Sequence, residues 1–397
     1  MIDWALQEKS MNKSLYLSML VPALLLAADQ PKVNLPAPYA TPASNNAPKL
    51  VAQPDGKKLN LPAGFQSEEF ASGFKKPRYM VQASGGAVLV TDAIAKGSVI
   101  AILPDKSKKE LLKDLDRPFG MTIWKEYLYV SEAESIKRYK FNGKTLEIGP
   151  GQEVVSLKGY NKAHWTRTIA FDKKGEKMYL SIGSGHDNEP GDPPDRAAIN
   201  VYNPDGTGHE IFAGGLRNPV SIRFNPESGK LWSTVQERND LGDELVPDFF
   251  TEVKKGAFYG WPYAYIGTNG DPRHKDKAPE LVAKSVAPTV VLPAHASVMD
   301  FIFYTGKQFP AKYRNGAFVV FRGSSNRAKR VGYSVNFIPF KAGQPVGPRE
   351  DFATGWMMGE SEKEVWGRPV GILQMADGSL LVSEDGNNKI WHIKYQK

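Results

Sequence analysis

One pattern recurs along this 397-residue chain and limits what it can become. An apolar strand of about five residues is entered from a small or charged residue and left through a polar turn. It stands at "GAVLVTDAIAKGSVIAIL" (86–103), "EYLYVSEAESIKRYKF" (126–141), "EKMYLSIGSG" (176–185), "GKLWSTVQER" (229–238), "GAFVVFRGSS" (316–325) and "GSLLVSEDGNNKIWHI" (378–393). Several units follow a strand and tight turn of similar build, as in "GMTIWKE", "RTIAFDKKGE", "VSIRFNPESGK" and "VGILQMADGS". The apolar positions alternate with a period of two, which is strand rather than helix spacing. Such a unit can bury its faces only against neighbours of the same kind, so six of them, 40 to 87 residues apart, predict an all-β, six-bladed β-propeller with a central-channel active site. The 37 glycines and 29 prolines agree, since both favour turns over long helices. The widest gap, 245–315, is expected to hold insertions such as "IGTNGDPRHKDKAPE". A two-sheet sandwich is the alternative, weakened by repeat count and length.

The ends read differently. Residues 11–28, "MNKSLYLSMLVPALLLAA", have the layout of a secretory signal: Lys13, an apolar run from Leu15 to Leu26, then Ala27 and Ala28. The run is too short to span a bilayer comfortably. The polar ten residues before Met11 suggest that translation begins at Met11, and a buried N-terminal helix is the other reading of the run. The expected layout is therefore upstream residues and signal over 1–28, a Pro/Ala-rich tether over 29–59, and the propeller over 60–397. A periplasmic or secreted protein follows, with no transmembrane span after signal removal.

The formal net charge is +8, yet the basic residues are scattered. The densest run, "RGSSNRAKR" (322–330), is short and carries no nucleic-acid-binding motif, so no nucleic-acid partner is expected. Cysteine is absent, which excludes disulfides, thiolate metal sites, cysteine nucleophiles and covalently attached c-type haem. Any redox chemistry must then use a non-covalent cofactor.

In a propeller, loops at one end of the channel bring together residues far apart in sequence. The candidates are His164 and Arg167 in "AHWTRTIAF", Arg217 and Asn218 in "GLRNPV", Gln236, Glu237 and Arg238 in "VQERND", Arg322 in "FRGSSNR" and Arg368 in "WGRPVG". Any one arginine reads equally well as a surface residue. Several aimed at one axis would repel unless an anionic ligand lay between them. His164 suits general-base work by its ordinary pKa, although a structural hydrogen-bonding role is the commoner fate of a lone histidine. "ERNDLGDEL" has the oxygen-rich, Gly-containing make-up that suits a hard cation. The acidic "GHDNEPGDPPD" (185–195) reads as a solvated connection, and His295 as a rim or structural residue.

At these residues the chain resembles the soluble pyrroloquinoline-quinone (PQQ)-dependent sugar dehydrogenases, most closely the glucose/sorbosone branch. The matching pieces include "LPAGFQSEEFASG", "RPFGMTIWKEYLYVSEAESIKRY", "HWTRTIAFDKKGEKMYLSIGS", "GLRNPVSIRFNPESGKLW", "VQERNDLGDELVPDFFTEVKKGAFYGWPYAY" and "GRPVGILQMADGSLLVSEDGNNKIWHI", in family order. The resemblance implies a calcium-dependent dehydrogenase that oxidises an aldose or related aldehyde or polyol by hydride transfer to the quinone. Electrons would pass to an external acceptor, a cytochrome or a quinone. It implies His164 as general base with Arg167 orienting the site. Arg217, Asn218, Arg322 and Arg368 would lie around the cofactor, and main-chain carbonyls of Gln236, Glu237 and Arg238 on Ca2+. The chain departs from the better-known glucose dehydrogenases in "HWTR", which has two residues between His and Arg rather than three, in a single Arg368 after Trp366, and in "QERND" in place of a Gly-Pro turn. Cofactor class is thus implied more firmly than substrate. The residues alone leave two alternatives: a calcium-dependent propeller hydrolase such as a lactonase, and a non-catalytic binding propeller.

Overall fold

A computed structural model describes residues 34–396. The signal-like segment lies outside the described residues.

Six antiparallel sheets of four or five strands stand side by side. Their first strands are Pro77–Gln82, Met121–Trp124, Ile169–Phe171, Asn218–Phe224, Val298–Tyr304 and Pro369–Gln374, and these pack against one another in a closed ring. The chain is therefore a six-bladed β-propeller, numbered here from the blade that begins at Pro77. Each recurring sequence unit supplies the second strand of one blade, such as Val88–Asp92 or Leu380–Glu384. The sixth blade takes its outermost strand from the other end of the chain: Phe65–Ala71 pairs antiparallel with Lys389–Tyr395. The long gap holds the last strand of blade four, Val290–Ala294, the first of blade five, and between blade-four strands an excursion with a two-residue hairpin and the short helix Pro279–Lys284.

The core lies between blades, as the repeat demands. Tyr129, Ile136 and Val155 of blade two pack on Ile169, Met178 and Leu180 of blade three. Trp232 and Phe250 of blade four meet Phe301, Val319 and Phe340 of blade five, with rings of Trp232 and Phe250 4.8 Å apart. Truncating a fully buried residue such as Leu180 to Ala would cost about 2–5 kcal/mol. Ser and Thr hydroxyls in or beside these apolar strands rivet five of the six blades to the next. Thr91 Oγ1 donates to Phe119 O (3.0 Å), Ser131 Oγ to Arg167 O (2.7 Å) and Thr168 Oγ1 to Val220 O (2.6 Å). Thr234 and Ser383 do the same to Met299 O and Arg78 O. A buried hydroxyl without such a partner would be destabilising, so these bonds account for Ser and Thr in otherwise apolar runs.

Proline shapes the channel mouth. Pro77, Pro219 and Pro369 stand at the start of three first strands, and the pairing register shifts there, between Pro77 and Met80, Pro219 and Ser221, and Pro369 and Gly371. A residue without N–H cannot complete the ladder, so the strand bulges and re-aims its side chains. Arg78, Asn218 and Arg368 each adjoin one of these prolines.

The stretch expected as a tether behaves otherwise from residue 34 on: it runs along the propeller face, and Lys49–Leu50 pairs in parallel with Glu364–Val365. The basic run 322–330 is not a free patch either. Arg322, Arg327 and Arg330 are engaged with Asp385, Glu244 and the Glu362 carbonyl respectively.

Candidate functional site

At the proline end of the channel a cavity of about 200 Å3 is lined by Arg78, Ala163, His164, Trp165, Thr166, Asn218, Val220, Gln236, Ser297, Met299 and Arg322. These residues come from the entries to first strands and the exits of second strands, which the ring geometry brings together.

His164 sits on the loop before blade three. Its Nδ1 lies 2.9 Å from Ser184 Oγ and 3.0 Å from Ser184 O. Ser184 Oγ donates its own hydrogen to His186 O at 2.6 Å. Both neighbours of Nδ1 are then acceptors, so the ring proton resides on Nδ1 and Nε2 keeps its lone pair. Burial first, and the Arg217 charge second, push the His164 pKa down to about 3, which leaves the ring neutral at ordinary pH. Gly183 makes this packing feasible: a Cβ there would stand 2.5 Å from both His164 Cβ and Asn218 Oδ1.

Beside it, blade four contributes Asn218 and Gln236, which face each other in register. Asn218 Nδ2 donates to Gln236 Oε1 (3.0 Å), and Gln236 Nε2 to Val298 O (2.9 Å). Asn218 Oδ1 is buried without a partner, as is Glu237 Oε1 one residue beyond Gln236. Burial raises the Glu237 pKa. Below them Asp248, whose pKa burial pushes up to about 7, accepts from the backbone N–H groups of Glu237 and Val298. Two buried orphan acceptors on adjoining strand ends suit a cation better than a neutral ligand.

Across the ring, blades five, six and one gather positive charge. Arg322 forks onto Asp385 (Nε to Oδ1, 3.0 Å; Nη2 to Oδ2, 3.0 Å), and Arg78 pairs with the same carboxylate. Arg368 donates to Gly323 O at 2.9 Å, and partly buried Lys76 stands close enough to feel all three guanidinium charges. Burial lowers the pKa of both Arg78 and Arg368 to about 10. Burial also opposes ionisation of Asp385, but Arg78 and Arg322 outweigh it and hold that carboxyl at about 2. Neighbouring Glu384 is pushed up to about 7 by burial and is only partly ionised near neutrality. Four cations thus share one firmly ionised carboxylate. An anionic ligand would relieve that excess.

Of the residues singled out in the sequence, His164, Asn218, Gln236 and Arg322 line the cavity. Arg217 stands behind them, donating to Asp187 O (2.9 Å), Asp187 Oδ1 (2.5 Å) and Gln236 O (3.4 Å). Arg368 lies behind Arg322. Arg167 is fully buried and binds main-chain carbonyls of His164 (2.7 Å), Thr166 (2.8 Å) and Tyr160 (2.8 Å), so it fixes the His164 loop. The Arg238 side chain points away from the cavity, to Pro262 O, Ala264 O and Asp271. The Glu237 side chain is the one that holds Arg238 Nε, at 3.1 Å.

Sequence reasoning missed Arg78, Asp385 and Asp187. Arg78 carries the signal that singled out Arg217 and Arg368, an arginine at the entry to a first strand. The acidic loop 185–195 proves to be no solvated connection: Asp187 pairs with Arg217 and accepts from Asn239 Nδ2 (2.9 Å), and Asp192 accepts from Gly185 N (2.7 Å). His295 is buried, with Nε2 2.9 Å from Gly242 O.

Comparison with known proteins adds a family. The TrAA12-like model matches residues 59–247 and 251–396. An uncharacterized protein of Borreliella burgdorferi is 29% identical over 88% of this chain and 94% of its own. A pyrroloquinoline quinone-dependent sugar dehydrogenase of Hypocrea jecorina is 25% identical over 83% of this chain and 87% of its own. In fold, the calcium structure of a Trichoderma reesei carbohydrate-active enzyme of family AA12 superposes with a TM-score of 0.72 at 22% identity, covering 89% of this chain and all of the other.

Proposed function

The chain belongs to the TrAA12-like family, and from that premise we propose that it is a PQQ- and calcium-dependent dehydrogenase. Its substrate is an aldose or a related aldehyde or polyol, and it works in the periplasm or outside the cell, passing electrons to a separate acceptor. The observation that carries the reading is the pairing, in one cavity, of a neutral histidine with a free Nε2 and two arginines, Arg78 and Arg322, backed by Arg368 and Lys76 in an under-compensated cluster. The relatives' names support the cofactor class.

The residues present fit both groups. The cationic flank suits a ligand with several carboxylates, and Gln236, Glu237 and Arg238 offer turn carbonyls to Ca2+ beside the orphan oxygens of Asn218 and Glu237. When bound, the quinone beside its calcium ion supplies a two-electron acceptor for the hydride that leaves the substrate carbon. His164 Nε2 takes the proton from the substrate hydroxyl, so that the carbonyl can form as the C–H bond breaks. Ser184 keeps Nδ1 protonated throughout, and Arg167 holds the main chain that carries the ring.

The direct test adds PQQ and CaCl2 to purified protein, measures binding by the change in quinone absorbance, and screens sugars for reduction of an artificial electron dye. Binding with sugar-dependent dye reduction, lost on chelation, is expected. Absence of quinone binding would end this reading.

A further inference from the structure

The N-terminal strap touches three loops, and each of them carries residues of the cavity or its cationic flank. Tyr39 N donates to Leu241 O (2.8 Å), Asp243 N to Thr41 Oγ1 (2.8 Å) and Ser44 Oγ to Asp243 Oδ1 (2.9 Å). That loop begins at Gln236–Arg238. The strap passes so close that a Cβ on Gly242, at φ +114°, would meet Thr41 O at 2.9 Å. Asn46 then reaches the loop that follows Arg322: its N donates to Ser325 O (2.7 Å) and its Nδ2 to Ala328 O (2.9 Å) and Arg327 O (3.2 Å). Fully buried Arg330 donates back to Asn46 O (2.9 Å) and Asn46 Oδ1 (3.1 Å) and onward to Glu362 O (2.6 Å). Last, Lys49 N donates to Lys363 O (2.8 Å) and Val51 N to Val365 O (3.0 Å), on the segment that leads into Arg368. Asn387, two residues past Asp385, donates to Val51 O at 3.2 Å.

We propose that segment 39–51 is a positioning strap that sets the three loops of blades four, five and six at the spacing the cofactor needs, with Asn46 as its central residue. The strap adds a second tie at each junction where the loops already touch: Asp243 accepts from Ser44 as well as from the Ala328 N–H (3.1 Å), and Arg330, which donates to Glu362 O on the third loop, is held by Asn46 O and Oδ1. Among the described residues the strap makes no hydrogen bond to blades one to three, so the His164 loop is outside its reach. Substrate chemistry and cofactor seating are then controlled by different segments of the chain. The proposal rests on the quinone reading for its ligand and on the hydrogen-bond chain for its mechanics.

The test uses the full chain with Asn46→Ala, and a milder Thr41→Ala/Ser44→Ala variant should the first fail to fold. Amide hydrogen exchange, the thermal midpoint and titration with PQQ plus Ca2+ are read together. Exchange should accelerate at 240–245, 325–330 and 363–366 and stay unchanged at 160–166, with quinone affinity falling by roughly tenfold or more, as for other outer-shell supports. Unchanged exchange in the three loops, uniform acceleration across the propeller, or full quinone affinity despite loosened loops would each overturn the strap. Should the unmutated protein bind no quinone, the functional reading fails, and the pattern of exchange alone decides the strap.

Discussion

The two flanks of the cavity solve opposite electrostatic problems. On blades three and four Arg217 is paired with Asp187 and Arg238 with Glu237 and Asp271, the buried Arg167 is held by main-chain carbonyls, and His164 is uncharged. On blades five, six and one the matching is deliberately incomplete, with Asp385 shared among Arg78, Arg322 and the nearby Arg368 and Lys76. A matched flank holds geometry without attracting an anion, whereas an unmatched flank attracts one and is itself less stable until it arrives. Under the proposed function the same pocket would separate reaction from recruitment.

The sharpest way to break that division is His164→Ala. It should lower kcat by about 100- to 10,000-fold while leaving quinone affinity near its original value. A collapse of affinity instead would mean that the neutral flank also binds. Next is Asp385→Asn, which leaves buried Arg78 and half-buried Arg322 without their carboxylate. Urea or thermal unfolding of the cofactor-free protein should show a loss of about 3–5 kcal/mol, and adding PQQ with Ca2+ should narrow the difference, because the ligand carboxylates take the place of Asp385. Equal losses with and without the quinone would show that the cationic flank is purely structural.

Ser184→Asp tests how the neutral flank stays neutral. With only uncharged acceptors at Nδ1, protonation of His164 is confined to about pH 3, so the acid limb of the wild-type kcat/KM profile should not come from this ring. A carboxylate there favours the imidazolium and should move a His164-dependent acid limb upward by on the order of 1–3 pH units. The sign is fixed: the base is lost as pH falls through a raised pKa. The smallest effect is expected of Glu237→Gln. It should weaken calcium activation by less than about tenfold, since turn carbonyls do not depend on the side chain that follows them.

The blades were legible because each repeats an alternation that only a strand can satisfy. Phe65–Ala71 was not assigned to a blade, since its partner Lys389–Tyr395 is some 320 positions away and pairing leaves no local trace. The positions of Arg217, Asn218, Gln236, Arg322 and His164 near one axis followed from repeat register. Side-chain direction did not: Arg167 and Arg238 occupy the expected loops, yet their guanidinium groups turn inward to main-chain carbonyls. Asp187 escaped notice because a carboxylate in a Gly- and Pro-rich loop resembles a solvated one until Arg217 is placed against it. Arg78 could have been found by asking of blade one the question put to blades four and six.

The closing of blade six by residues from both ends sets a timetable for synthesis. Arg78 is synthesised long before Asp385, so the carboxylate that binds Arg78 to Arg322 joins them late. A chain lacking Lys389–Tyr395 would have five finished blades and an unpaired Phe65–Ala71. The seam between blades six and one, where that carboxylate stands, is therefore a late part of the ring to close.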